Sequence, residues 1–303
     1  MNQPASPPRW LAVVAVLGAA ALFGTTGTTL AKAPESATAL GAGSLRLTIG
    51  SIGLLLIARG RLGSLRGSRL SICVGGLWVA AYQLSFFWAT TNTGVAMATV
   101  VTIAVSPVMS WLIGRVRRRP SPPVGWYLAT GVVIAGLVLL VFGGSDSAEF
   151  SGVGVAAAVI AGASFSAYTE AGSVALARGA DSTATMAGLF GVGAVASWCV
   201  LPFQPLAWVA TGRGIIVLFV LGVVTLTVAY VAFGVGLRSL NPSTVVVLTI
   251  VEPLVASLLA VTVLHEKLST VGWVGAALIV GGVVVVASAT RDATQSSGDS
   301  PRQ

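Results

Sequence analysis

Ten runs of apolar residues follow one another along the chain, at 10–30, 37–58, 70–90, 94–114, 124–142, 152–177, 183–203, 215–237, 243–264 and 271–289. Each is close to the roughly 20 residues that cross a hydrocarbon core of about 30 Å at 1.5 Å per helical residue. Polar residues inside the runs show no two-residue alternation of the barrel kind. The spans therefore read as α-helices, in which every backbone donor and acceptor finds a partner without water. The pattern predicts an all-α integral membrane protein with ten transmembrane helices and short connections.

A second pattern lies over the first. The stretch "TIAVSPVMSWLIGRVRRRPSPPVGW" at 102–126 has the rhythm of "TIVEPLVASLLAVTVLHEKLSTVGW" at 249–273. Pro107 aligns with Pro253, Gly125-Trp126 with Gly272-Trp273, and further upstream Phe23 aligns with Phe165. The chain divides accordingly into a tail at 1–9, a five-helix repeat at 10–143, a polar link "GGSDSAEFSG", a second five-helix repeat at 151–289, and a polar tail at 290–303 expected to be disordered. Five is odd, so the second repeat enters the membrane upside down relative to the first. Two inverted five-helix repeats with a site at their interface form a transporter architecture.

Composition agrees. Hydrophobic residues make up 55% of the 303, charged residues only 9%, and mean hydropathy is +0.92, which excludes a water-soluble globule. The net charge of +8 does not point to nucleic acid, because the basic runs lack interleaved aromatics and any reading module. It is a topology signal instead. With an inner N-terminus, the inner segments hold Arg9, the Arg59–Arg69 loop, the Arg115–Arg119 loop, Arg178, Arg238, Arg291 and Arg302, whereas the outer segments hold only Lys32, Arg213 and Lys267. That asymmetry places both termini in the cytoplasm and the link outside, in a multi-pass protein of the cytoplasmic (inner) membrane. "TLAKAPES" offers a small-x-small pattern after the first run, but that run is too long for a signal h-region and is expected to remain as a span.

The last three runs resemble a known family. The small-residue opening "NPSTVVVL", the Glu252-Pro253 pair, the "HEKLS" corner and the glycine-rich final run look like an EamA-type member of the drug/metabolite transporter superfamily. In the first half, Arg46 within "AGSLRLTIG" and the junction "TNTGVAMATVVTIAVSP" are similar to the same family. The chain departs from the family pattern at Ser173, where a lysine is common, and in having Glu170. The resemblance implies two inverted repeats around a central cavity lined mainly by helices 1, 3, 4, 6, 8 and 9, with helices 5 and 10 peripheral.

Three ionisable residues fall inside the spans: Arg46, Glu170 and Glu252. A charge at mid-membrane costs about 2.5–3.5 kcal/mol on insertion scales, so such groups face the bundle or a wet cavity. Glu252 either accepts hydrogen bonds and pairs with Arg46, or meets substrate or carries a proton. Its counterpart in the first repeat is Ser106, beside Pro107, so it breaks the internal symmetry. Trp78, Tyr82 and Gln83 on the third helix, Tyr168 and Glu170 on the sixth, Tyr230 on the eighth and Glu252 on the ninth are the candidate substrate-binding residues. Arg46, Ser106, Pro107 and Pro253 are candidates for structure or coupling, the prolines as kinks. Core packing is the alternative for each aromatic residue. Trp10, Trp111, Trp126, Trp208 and Trp273 sit near run ends and read as interface anchors. Small pairs such as Gly24/Thr28, Gly131/Ala135 and Gly272/Ala276 allow close helix approach.

No catalytic constellation accompanies these residues. His265 is the only histidine, Cys73 and Cys199 lie apart within spans and read as small buried apolar residues, and neither a metal motif nor a nucleotide-binding GxxxxGK[ST] is present. The expectation is a secondary transporter, without cofactor or metal, for a small organic metabolite such as an amino acid, a related metabolite or a drug-like solute. Export is the expected direction, and protons are a candidate coupling ion. The alternatives are a membrane-embedded enzyme, a non-transporting sensory or structural membrane protein, and a channel, which would conduct without saturation. The partners implied are the lipid bilayer and the solute; oligomeric state has no signature in the sequence.

Overall fold

The computed structural model describes residues 7–142, 151–263 and 268–298. Among these the secondary structure is helical throughout, with no strand. The helices are α1 (Arg9–Ala31), α2 (Ala39–Ala58), α3 (Leu62–Gly94), α4 (Met97–Val116), α5 (Val124–Val141), α6 (Gly152–Ala177), α7 (Ser182–Phe203), α8 (Gly212–Leu237), α9 (Pro242–Val263) and α10 (Thr270–Gly298). The first nine are long and apolar enough to cross a membrane, and α10 contributes a shorter apolar stretch, Thr270–Val286. The molecule is an all-α integral membrane protein of repeated helical build. The "HEKL" corner at 264–267, the link at 143–150 and the chain ends at 1–6 and 299–303 lie outside the described residues.

Several local features differ from the sequence expectation. No loop separates α3 from α4: the helical path is broken only at Gly94, where φ is +76°, a conformation that glycine adopts without a Cβ penalty. The π-helical stretch Val220–Val228 interrupts α8. Helix α9 is two pieces, Pro242–Leu248 and Val251–Val263, with the break at Thr249 and Ile250. Beyond 290 the chain stays helical to Gly298, where the polar composition had suggested disorder; extending an existing helix by a residue is far easier than nucleating one. Cys73 and Cys199 are exposed rather than buried, facing outward from the bundle.

The helices pack in matching pairs. Helix α1 lies against α8 and α9, and α6 lies against α3 and α4; α2 packs on α7, and α5 packs chiefly on α10, away from the centre. Close approach is enforced by glycines. A Cβ on Gly24 would lie 2.7 Å from the Glu252 carbonyl oxygen and 2.8 Å from the Val255 Cβ, so α1 and α9 touch backbone to backbone there. In lipid, where apolar burial between helices supplies little drive, such contact is a main source of adhesion. The other expected small pairs behave differently. Nothing lies within 4 Å of a Cβ built on Gly131, and α5 meets α10 at Gly136 and Gly275 instead.

Candidate functional site

Between the two halves lies a cavity lined by Phe23 and Thr26 of α1, Arg46 of α2, Tyr82, Gln83, Phe86 and Phe87 of α3, Phe165 of α6, Tyr230 of α8 and Glu252 of α9. Its free volume is about 30 Å³, room for roughly one or two water molecules. A smaller chamber of about 20 Å³ adjoins it, bounded by Thr102, Ile103 and Ser106 of α4 and by Val246 and Thr249 of α9. Tyr82, Phe165 and Glu252 line both and form the partition. Helices 1, 3, 4, 6, 8 and 9 thus supply most of the walls, and α2 adds Arg46.

The local backbone explains how the charged groups are held. Because α9 breaks at Thr249 and Ile250, Glu252 falls in the first turn of a new helix, where the partial positive charge of free N–H groups favours an anion. Its own N–H is satisfied by the Thr249 carbonyl at 2.9 Å. Pro253 sits in that first turn, where its missing N–H is no loss, so it begins a helix instead of kinking one. Pro107, by contrast, lies within the helical run of α4. The two prolines therefore mark unlike structures: a break in one repeat and none in the other.

Arg46 is 9% exposed. Its Nε donates to Thr225 Oγ1 at 3.2 Å, and its Nη2 donates to the Thr225 carbonyl at 3.1 Å. Thr225 belongs to the π-helical stretch of α8. Arg46 and Glu252 line the same cavity without forming a direct ion pair among the described residues. The amide of Gln83 is 3% exposed, and its Nε2 has no acceptor among them. Opposite it, Gly43 leaves the space that the Gln83 amide occupies.

Aromatic rings surround these polar groups. The Tyr168 and Tyr230 hydroxyls share a hydrogen bond of 2.8 Å, which satisfies both phenols at mid-bundle. The Phe23 and Tyr230 rings lie 4.9 Å apart, and the Tyr82 and Phe165 rings 5.7 Å. These two pairs join α1 to α8 and α6 to α3, and Phe23 and Phe165 are the residues that the repeat alignment puts in register. A second match follows. Gly24 meets the Glu252 carbonyl, while Ser166 Oγ donates to the Ser106 carbonyl at 2.6 Å. Ser106 Oγ in turn donates to the carbonyls of Thr102 at 2.7 Å and Gly162 at 3.2 Å. Ser106 thus spends its hydroxyl on helix backbone, whereas Glu252, at the equivalent place, presents its carboxylate to the cavity.

Three of the sequence candidates do not line either chamber. Tyr168 is fully buried behind the wall, its ring against Tyr82 and Phe165 and its hydroxyl on Tyr230. Trp78 is 41% exposed on the outer surface of α3, one turn from Tyr82 but turned away from it. Glu170, 4% exposed, is held by arginines of the loop after α4: Arg119 Nη1 donates to Oε2 at 2.8 Å, Arg119 Nη2 lies 2.7 Å from Oε1, and Arg117 Nε lies 3.2 Å from Oε1. The corner that aims them is a helix stop in which Arg118 takes φ +56° and the Arg119 N–H returns to the Gly114 carbonyl. At the same end of the bundle Asp181 meets Arg61 at 3.5 Å and its N–H donates to Ser64 Oγ at 3.0 Å. Both carboxylates come from the second half and their cations from the first. Trp126 and Trp208 are buried at 6% and 1% exposure instead of anchoring at an interface. The walls at Thr26, Phe86 and Phe87 went unnoticed in the sequence; Phe23 and Phe165 were visible there only as repeat markers.

Comparison with known proteins gives a consistent set of matches. The model of the EamA-like transporter family matches residues 10–142 and again 152–288. A Bacillus subtilis (strain 168) protein, Uncharacterized transporter YwfM, is 36% identical over 279 residues, covering 91% of this chain and 93% of that one. A solved crystal structure described only as that of a protein superposes with a TM-score of 0.79 at 21% identity, over 92% of this chain and 96% of the other, and shares the fold.

Proposed function

The chain belongs to the EamA-like transporter family, and from that premise we propose that it is a secondary transporter that exports a small zwitterionic metabolite of the amino-acid type across the cytoplasmic membrane by alternating access. The observation that carries the substrate class is one cavity holding a carboxylate, Glu252, and a guanidinium, Arg46, that form no direct ion pair among the described residues, beside Gln83, whose amide nitrogen has no acceptor among them. A solute carboxylate is matched by the fork of Arg46. A solute ammonium is matched by Glu252 and by the faces of the surrounding rings, which attract cations through their quadrupoles.

Cavity size supports alternating access. A space for one or two waters is far below the roughly 300–1,000 Å³ of an ordinary ligand pocket, so binding requires the halves to part. The inverted arrangement of the repeats follows from five spans per half, and the matched Phe23/Tyr230 and Phe165/Tyr82 contacts are consistent with it. Glu252 is the candidate proton carrier, because it is the carboxylate that faces the cavity.

The test is counterflow in proteoliposomes loaded with unlabelled amino acids and offered the radiolabelled mixture. Saturable exchange of amino acids is the expected result, with tetraethylammonium exchanged poorly. Exchange of tetraethylammonium alone would remove the zwitterion while leaving a transporter. Absence of all flux from folded protein would favour the non-transporting reading.

A further inference from the structure

The roomiest cavity among those described lies away from the central one. It has a free volume of about 500 Å³ and occupies the end of the bundle where α1 and α9 begin, α4 ends and α5 begins. Its walls include Arg9, Arg115 and Arg119 together with Trp111, Trp126 and Ser121, and no carboxylate lines it among the described residues. Arg119 is engaged by Glu170, but Arg115 is held only by a neutral partner, donating from Nη1 to Ser121 Oγ at 2.7 Å.

The Trp126 side chain lines the cavity at 6% exposure, and its indole Nε1–H has no acceptor among the described residues. The remaining walls join an apolar side of prolines, Trp111, Trp126 and Val286 to a polar side of Asn241, Ser243 and Thr244.

We propose that this cavity binds a phosphate-bearing anion, with Arg115 and Arg9 facing the phosphate oxygens. Planar guanidinium groups match phosphate oxygens in geometry as well as charge. Basic pockets between transmembrane helices on the positively charged face are also where anionic lipid headgroups settle. The shared chemistry is the phosphate, carried either by a membrane lipid or by a soluble organophosphate. This site does not depend on the transport reading, since none of its residues lines the central cavity.

The test uses the full chain purified in neutral detergent. Thermal melting and native mass spectrometry are followed with short-chain phosphatidylglycerol, short-chain phosphatidylcholine, sn-glycerol 3-phosphate and inorganic phosphate. Phosphatidylglycerol is expected to raise the melting midpoint and to be retained as a bound adduct more strongly than phosphatidylcholine. If only phosphatidylglycerol does so, the source is lipid; an equal response to glycerol 3-phosphate or inorganic phosphate assigns it to a soluble anion. Arg115→Gln should weaken the effective ligand by roughly tenfold, the loss expected for one charge-assisted hydrogen bond. Arg9→Gln removes the other proposed phosphate-facing cation; it should also weaken binding, and it carries the test if Arg115→Gln does not fold. No response to any of the anions, or undiminished binding in both folded variants, overturns the proposal.

Discussion

Glu252 and Ser106 occupy equivalent places in the two repeats and differ in what their side chains do. Ser106 returns its hydroxyl to the carbonyls of Thr102 and Gly162, a local use that a helix tolerates easily. Glu252 makes no direct ion pair with Arg46 and lines both chambers. Neutralising it therefore removes a group that faces the cavity and breaks no structural pair. Glu252→Gln should insert and accumulate normally, with a melting midpoint within about 3 °C of the parent, and lose about nine-tenths of its transport, while Ser106→Ala keeps most of both. Flux and detergent melting measured on the same preparations decide this. A large loss of melting temperature with normal flux per folded molecule would make Glu252 structural. Of this picture the sequence showed the residues and their pairing by repeat. It could not show that Arg46 is engaged by Thr225, because the π-helical stretch that holds Thr225 has no signature in "VLGVVTLTV".

At the scale of elements, helices join the halves in two different ways. Near the cavity they meet by backbone contact, as where Gly24 of α1 meets α9, and contacts of that kind can slide or rock without breaking charge pairs. At the end of the bundle carrying the arginine loops the contacts are ionic, Glu170 with Arg117 and Arg119 and Asp181 with Arg61. Glu170 is buried and its partners are half-exposed, so removing its charge leaves the arginines free to reach water while α6 loses its tie to the loop after α4. Glu170→Gln is expected to open that end. Labelling of a cysteine placed at Ser166, behind the clamp, by a membrane-impermeant maleimide added from the cytoplasmic side should rise severalfold over the same cysteine with Glu170 intact. Unchanged labelling would mean that the ion pairs do not gate access. The spacing of α6 put Glu170 on a buried face but said nothing of its partners, which come from a loop more than 50 residues away in sequence.

For the whole molecule the informative quantity is the sidedness of charge. The arginine loops after α2 and α4 and both termini lie at one end under the ten-span reading, and the Lys32 and Arg213 corners lie at the other, where Arg213 Nε donates to the Lys32 carbonyl at 2.6 Å. Reporter fusions should place both termini and the two arginine loops in the cytoplasm and the 143–150 link outside. A C-terminus outside the cell would remove one span and with it the inversion of the second repeat. The positive-inside asymmetry is robust to a boundary error of a few residues, because it counts charges in loops and not helix ends.

Membrane class, a set of nine to ten apolar spans and the internal duplication were set by the sequence itself, because hydrocarbon imposes one length, one backbone solution and one charge bias on any chain that crosses it. The repeat register was legible for the same reason that Phe23/Phe165 and Pro107/Pro253 stand out: few residues interrupt a run of small aliphatics. Tertiary structure alone decided which candidates meet. Trp78 and Tyr82 share a nominal face, yet the small turn of α3 between them carries one to the outside and the other to the cavity. Glu170 and Glu252 look alike as membrane carboxylates, and only packing sends one to arginines and the other to an aromatic chamber. The buried Trp126 and the cavity beside it are invisible in one dimension, since they arise where the ends of α1, α4, α5 and α9 converge.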